Sequence, residues 1–161
     1  AYDDFCGYQL AKMTGNKHYQ EVFARQIELA VKYGRPLIVH AVRADAWLEG
    51  FWAKLPPKFV FHSFSGSREQ LNKIMIHGGY AGFSYSVLRS RHRENVLKSV
   101  PAERMLLETD GPYQGLFPNE EVASSALPEL ARRIAAVRGC APETLAGQVY
   151  RNALEFMGIG K

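Results

Sequence analysis

Cysteine is scarce in this chain of 161 residues: Cys6 and Cys140 are two thiols far apart, which excludes a disulfide framework and a zinc finger. Both are read as free thiols of a reducing compartment, so the cytoplasm is the expected location. No stretch approaches the roughly 18 consecutive apolar residues that a bilayer span requires, and no membrane partner is expected. The opening Ala1-Tyr2-Asp3-Asp4 has neither a basic nor an apolar region, so no signal peptide is expected. Glycine-rich phosphate loops of the P-loop or dinucleotide-binding kind are lacking, as are internal repeats, low-complexity tracts and any arrangement suggesting a Ser-His-Asp triad.

Charge of one sign is also modest. Twenty basic residues against 16 acidic ones leave a net +4. That excess suits a polyanionic substrate without requiring one, and it is thinner than the basic stripe of a dedicated nucleic-acid binder. The densest cluster, Arg89-Ser90-Arg91-His92-Arg93, reads either as a solvated loop and helix start or as a phosphate-contacting loop. A composition 47% hydrophobic and 22% charged is that of an ordinary globular protein. The length suits one domain, and residues 1–161 are read as a single unit.

What is present is an alternation of helix and strand. Apolar periodicity predicts helices over 17–33, 44–54, 68–77, 91–99, 125–138 and 142–156. Gly34, Pro56-Pro57, Gly78-Gly79 and Pro101 act as stops, Ser67 as an N-cap, and Pro142 as a first helical residue. Short apolar runs predict strands over 37–41, 59–63, 80–84 and 105–109, and 111–119 reads as a long loop. The fold class is therefore α/β, with about four parallel strands joined by helical crossovers. Four such strands make either a small open sheet or half of an eight-stranded barrel, a fold that typically needs about 250 residues.

Three of the apolar runs end on a potential metal ligand: Leu37-Ile38-Val39-His40, Phe59-Val60-Phe61-His62 and Met105-Leu106-Leu107-Glu108-Thr109-Asp110. A buried parallel strand reads as a near-continuous apolar run, and its C-terminal end is where α/β enzymes place their chemistry. His, His and Asp in series on such ends point to metal-assisted hydrolysis. A carboxylate there is costly unless paired or metal-bound, so Asp110 is read as both ligand and proton acceptor. Arg43, with Asp45 nearby, lies downstream of His40 and is suited to bidentate phosphate contact, the alternative being a surface salt bridge with Asp45. Ser65-Gly66-Ser67 leads into a helix whose unpaired N–H groups make an anion site, unless the helix is simply well capped. Glu108 is read either as a partner orienting a ligand or as an interior charge balancing an arginine. His18, His77 and His92 read as surface residues; Tyr80, Phe83 and Tyr85 read as packing; and Tyr113 reads as either wall packing or a base-stacking ring.

Taken together, Pro36-Leu37-Ile38-Val39-His40, Val60-Phe61-His62-Ser63-Phe64-Ser65-Gly66-Ser67, Gly79-Tyr80-Ala81-Gly82-Phe83-Ser84, Leu106-Leu107-Glu108-Thr109-Asp110-Gly111-Pro112-Tyr113 and Asn152-Ala153-Leu154-Glu155-Phe156 resemble the TatD family of metal-dependent hydrolases. These are TIM-barrel members of the amidohydrolase superfamily that include magnesium-dependent deoxyribonucleases. The resemblance covers nearly the whole chain. It implies a partial (β/α)8 barrel in which His40, His62 and Asp110 bind a divalent metal (Mg, Zn or Mn) on the fifth, sixth and eighth strands. It also implies a DNA or other phosphodiester substrate, with Arg43, Ser65 and Gly66 steadying the phosphate.

Two departures from the family pattern stand out. Ala41 and Val42 separate His40 from Arg43, where the pattern has one residue. The family's N-terminal His-x-His pair and fourth-strand glutamate have no counterpart here, so the chain reads as the C-terminal half of the barrel. Two other functions stay open. One is a catalytically silent fragment that self-associates, or pairs with a complementary half-barrel chain, and binds nucleic acid weakly. The other is a metal-dependent amide or ester hydrolase.

Overall fold

The computed structural model describes residues 17–41, 44, 48–117 and 120–159. Helix α1, Lys17–Lys32, turns Ile27 and Ala30 inward and ends at Gly34. With φ at +58°, Gly34 lets the N–H of Arg35 reach back to the carbonyl of Ala30 at 2.8 Å. Strand β1, Leu37–Val39, follows directly. Strand β2 is Phe59–Phe61, helix α2 Arg68–Ile76, strand β3 Tyr80–Phe83, helix α3 Arg91–Ser99 and strand β4 Met105–Leu107. Helices α4, Leu127–Arg138, and α5, Pro142–Met157, complete the described order.

The four strands form one sheet in the order β1-β2-β3-β4, and every neighbouring pair is parallel. An open doubly wound sheet reverses its strand order at a switch point, whereas a barrel wall adds each new strand beside the last. This sheet has the uninterrupted order of a barrel wall, so the expectation of a partial (β/α)8 barrel holds over the open-sheet alternative. Each strand is one or two residues shorter than the apolar pattern suggests. The expected extra residues continue the ladder only in part: the N–H of His62 bonds to Val39 at 3.0 Å and that of Glu108 to Phe83 at 3.0 Å.

Alternate strand residues face two different cores, as a period of two requires. Phe59, Phe61, Ala81, Phe83 and Met105 pack with Leu71, Ile74, Leu97, Leu130 and Ile134 of the covering helices. Val60 and Tyr80 join Phe156 of α5 and the half-buried Leu106 in a smaller cluster on the other face. Tyr80, Phe83 and Tyr85 are all buried, in keeping with packing roles. On the same inner row as Val60, its register partner Ile38 is 67% exposed.

One expected helix is not continuous. The N–H of Leu48 bonds to the carbonyl of Ala44 at 3.0 Å, Glu49 and Gly50 form a turn, and a separate 3-10 turn spans Trp52–Lys54. The correction to the expected helix over 44–54 has a local cause. Gly50 weakens the helix, and the Trp52 ring leaves the helical path to stack between Phe61 at 5.4 Å and His77 at 5.3 Å. Val42, Arg43, Asp45, Ala46 and Trp47 lie outside the described residues.

The motif residue Asn152 has a plain structural duty. It is 1% exposed, and its side-chain N–H groups donate to the carbonyls of Ala102 at 2.7 Å and Met105 at 2.8 Å. It thereby pins α5 to the entry of β4. Asn152→Ala removes both bonds and leaves buried acceptors behind, a change expected to cost about 2 kcal/mol or more. Urea unfolding checks this, and a loss below about 0.5 kcal/mol would contradict the assignment.

Candidate metal centre at the strand ends

His40 follows β1, His62 follows β2, Ser84 follows β3 and Glu108 follows β4, so four parallel strands deliver four polar residues to one rim. The apolar runs explain why. Each apolar run gives way to a polar residue at its C-terminal end, and in a parallel sheet these ends lie on the same side. The imidazoles of His40 and His62 lie with ring centroids 5.3 Å apart. Nδ1 of His62 is 2.9 Å from a Glu108 carboxylate oxygen, and its Nε2 is 3.9 Å from Oδ2 of Asp110.

Glu108 reaches His62 by crossing β3. The crossing is possible because Gly82 leaves the way clear: a Cβ there would stand only 3.3 Å from both Glu108 carboxylate oxygens. The same Glu108 oxygen accepts the backbone N–H of Ser63. Of the two readings of Glu108, the one that orients a ligand is the one its contacts support. A proton on Nδ1 would face Glu108 and leave the Nε2 lone pair toward Asp110.

Asp110 is held in turn by Gln114, whose side-chain N–H donates to Oδ2 at 2.6 Å. The Gln114 carbonyl accepts the hydroxyls of Ser63 at 2.8 Å and Ser84 at 3.1 Å. Ser63 therefore touches both ends of the arrangement, through its N–H to Glu108 and through its hydroxyl to Gln114. Among the described residues, the non-glycine positions with positive φ are Ser63 at +49°, Asp110 at +54° and Gln114 at +63°. Strained backbone of this kind persists only where surrounding contacts over-determine it. Gly111 has its own constraint, since a Cβ would meet the carbonyl of Val122 at 2.3 Å. Arg89 ties the far end of the loop down with two bonds, of 3.0 and 2.7 Å, to the carbonyl of Gly115.

His40 is exposed, yet partial loss of water around its ring, followed by the neighbouring His62, lowers its pKa below the ordinary 6.5; Asp110 and Glu108 pull the other way. A depressed pKa favours the neutral imidazole, the form that can give a lone pair to a cation. Two imidazoles and a carboxylate are suitable donors for a divalent ion. The 3.9 Å between Nε2 of His62 and Oδ2 of Asp110 is shorter than two ligand bonds of about 2.0–2.2 Å laid end to end, so one ion can touch both. Among the described residues, however, no three His, Cys, Asp or Glu side chains are arranged to hold a metal ion.

The structure thus brings His40, His62 and Asp110 to one mouth. Arg43 and Asp45 lie outside the described residues. Ser65 is exposed beside the start of α2, where Ser67 and Gln70 form a capping box: Ser67 N–H to Gln70 Oε1 at 2.5 Å and Gln70 N–H to Ser67 Oγ at 3.2 Å. Gly66 is pressed against Gln70 and Phe64, with no room for a Cβ. Two of the helix's free N–H groups are therefore already used, which narrows what Ser65-Gly66 offers an anion. Gln114 escaped the sequence reading. A glutamine in a loop carries no periodic signal, and two of its three partners are 30 and 51 residues away.

The family described as TatD related DNase matches residues 6–158. The chain belongs to that family. It is 31% identical over 170 residues to a TatD 3'-5' ssDNA/RNA exonuclease of Pantoea ananatis, covering 96% of this chain and 64% of that protein. It is 36% identical over 101 residues to the Tat-D deoxyribonuclease of Schizosaccharomyces pombe, covering 60% of this chain and 32% of that one. The chain thus spans about a third to under two thirds of these curated relatives. The crystal structure of a TatD homologue from Escherichia coli K12 superposes with a TM-score of 0.81 at 23% identity, over 89% of this chain and 58% of that one. An amidohydrolase structure from Saccharomyces cerevisiae gives 0.77 at 19% identity, over 88% and 60%. At such identities the likeness speaks for the fold, which is a part of the barrel seen in these structures.

The contacts of His62 predict its tautomer. Nitrogen-15 NMR at neutral pH should show neutral His62 protonated on Nδ1, with Nε2 bare. In Glu108→Leu that preference should relax toward a mixture. The opposite tautomer in the unaltered chain would contradict the assigned role of Glu108.

Proposed function

We propose that the rim formed by His40, His62 and Asp110 belongs to a metal-dependent hydrolase that cleaves phosphodiesters, with DNA as the substrate class. The observation that carries the proposal is the approach of His62 Nε2 to Asp110 Oδ2 at 3.9 Å beside the His40 ring, on the C-terminal rim of a parallel sheet. Support comes also from the curated TatD relatives, named as nucleases acting on DNA or on single-stranded DNA and RNA. The net charge of +4 suits a polyanion.

TatD-family enzymes are in general metal-dependent, and the donor set here, nitrogen and oxygen together, suits Mg, Mn or Zn. When bound, a divalent cation supplies Lewis-acid polarisation of the phosphoryl oxygen and a water acidic enough to attack at neutral pH. The chain's own residues do the rest. Glu108 fixes the ring of His62 through Nδ1, and Gln114 fixes the carboxylate of Asp110. Asp110, the proposed catalytic residue, takes the proton of the attacking water on a carboxylate oxygen. Arg43 and the Ser65-Gly66 backbone are the proposed phosphate contacts, and their part in the reading is the smaller one.

Pairing with a second copy or with a complementary half-barrel chain belongs to the same proposal, supported by the 67% exposure of the inward-row residue Ile38. Among the described residues no helix is long and apolar enough to cross a membrane. The reading of a cytoplasmic enzyme stands as part of this proposal.

Asp110→Asn keeps the shape of the side chain and removes its charge. The variant should lose metal content, measured by elemental analysis, and should lose deoxyribonuclease activity by a factor of at least about 100. DNase activity equal to that of the unaltered chain would overturn the mechanism. Activity on esters or amides, with none on DNA, would transfer the site to another substrate.

A further inference from the structure

We propose that Gln114 is the positioning residue for Asp110: its amide, clamped by the hydroxyls of Ser63 and Ser84, holds the carboxylate in the orientation that faces His62. The inference rests on the reading of Asp110 as a cation ligand, and adds to that site a residue outside the donor set.

The argument begins with which end of the amide meets the carboxylate. A primary amide can be placed two ways, with its oxygen or its nitrogen toward a given neighbour. An ionised carboxylate only accepts, so the nitrogen is the end that faces Asp110, and the oxygen then accepts from Ser63 Oγ at 2.8 Å and Ser84 Oγ at 3.1 Å. The reversed placement would set an amide oxygen against a carboxylate oxygen. Ser84 is itself fully buried, and its hydroxyl lies 2.9 Å from that of Ser86. The hydroxyls of Ser63 and Ser84 also lie 3.1 Å from each other, so the amide oxygen belongs to a small hydroxyl network.

The contact is aimed at the oxygen that matters. Gln114 Nε2 lies 2.6 Å from Oδ2 of Asp110, the same atom that stands 3.9 Å from Nε2 of His62. A carboxylate oxygen has two lone pairs, so one hydrogen bond leaves a lone pair for a cation. Ligating carboxylates are commonly held by such a bond.

Backbone geometry points the same way. Gln114 sits at φ +63°, a region where Asn, Asp and His are the enriched non-glycine residues and glutamine is not. A strained position filled by a side chain with three placed contacts is the pattern expected of a functional site. Nor does the loop need Gln114 to keep its course. Tyr113 N–H bonds to Asp110 O at 2.9 Å, Val122 N–H to Pro112 O at 3.0 Å, and Arg89 holds Gly115. The Gln114 side chain is thus free for the task of aiming Asp110.

The test is calorimetric titration of the full chain with Mn2+, comparing the unaltered protein with Gln114→Met, Ser84→Ala and Asp110→Asn, and with thermal melts on each. Gln114→Met keeps most of the volume and removes all three contacts. It should weaken Mn2+ binding by about 10- to 100-fold, while the melting temperature stays within a few degrees of the unaltered chain. Ser84→Ala, which loosens one anchor, should weaken binding in the same direction by less, and it carries the test alone should Gln114→Met fail to fold. A merely structural role would lower the melting temperature and leave Mn2+ affinity unchanged. Equal or tighter Mn2+ binding in a folded Gln114→Met, with binding lost in Asp110→Asn, overturns the role of Gln114 alone. No Mn2+ binding by the unaltered chain overturns the reading of Asp110 and this inference with it.

Discussion

One imidazole is gripped from two sides. Glu108 and Asp110, both beyond the end of β4, reach over β3 to the ring of His62 at the end of β2, at 2.9 and 3.9 Å. Two half-buried carboxylates at such a place are costly to desolvate, and the arrangement stands only because each has a partner. Glu108 has the His62 ring and the Ser63 N–H; Asp110 has Gln114. Remove His62 and two like charges would face one another across the mouth of the sheet. The apolar cores on both sheet faces fix where the strand ends stand, and the strand ends fix this cluster.

The arrangement also explains why small residues lie where they do. Gly82 opens a lane across β3 for the Glu108 side chain, and Gly111 lets the loop backbone press against Val122. Ser63, Asp110 and Gln114 accept unfavourable backbone angles so that their side chains converge. A strand that simply continued in extended form would alternate its side chains between faces. The left-handed turn at Asp110 lets the chain leave the sheet with its carboxylate still on the rim.

Much of this was legible in the amino-acid order because buried parallel strands announce themselves. Phe59-Val60-Phe61 and Met105-Leu106-Leu107 can only be interior, and the first polar residue after each must sit at an edge. Ser67 was readable as a helix N-cap for a similar reason, since capping is local chemistry. Gln114 was not readable, because its meaning lies in Ser63, Ser84 and Asp110, brought together only by the fold. The interrupted helix near Trp52 was missed because stacking on Phe61 and His77, a tertiary contact, outweighs local helical propensity.

Family membership and site geometry meet at a single point in space, the gap between Nε2 of His62 and Oδ2 of Asp110. Anomalous diffraction from crystals soaked in Mn2+ addresses that point directly. The account predicts a peak within coordination distance of both atoms, with the His40 ring turned to the same ion. A well-diffracting soaked crystal with manganese bound elsewhere, or with none at this rim, would contradict it.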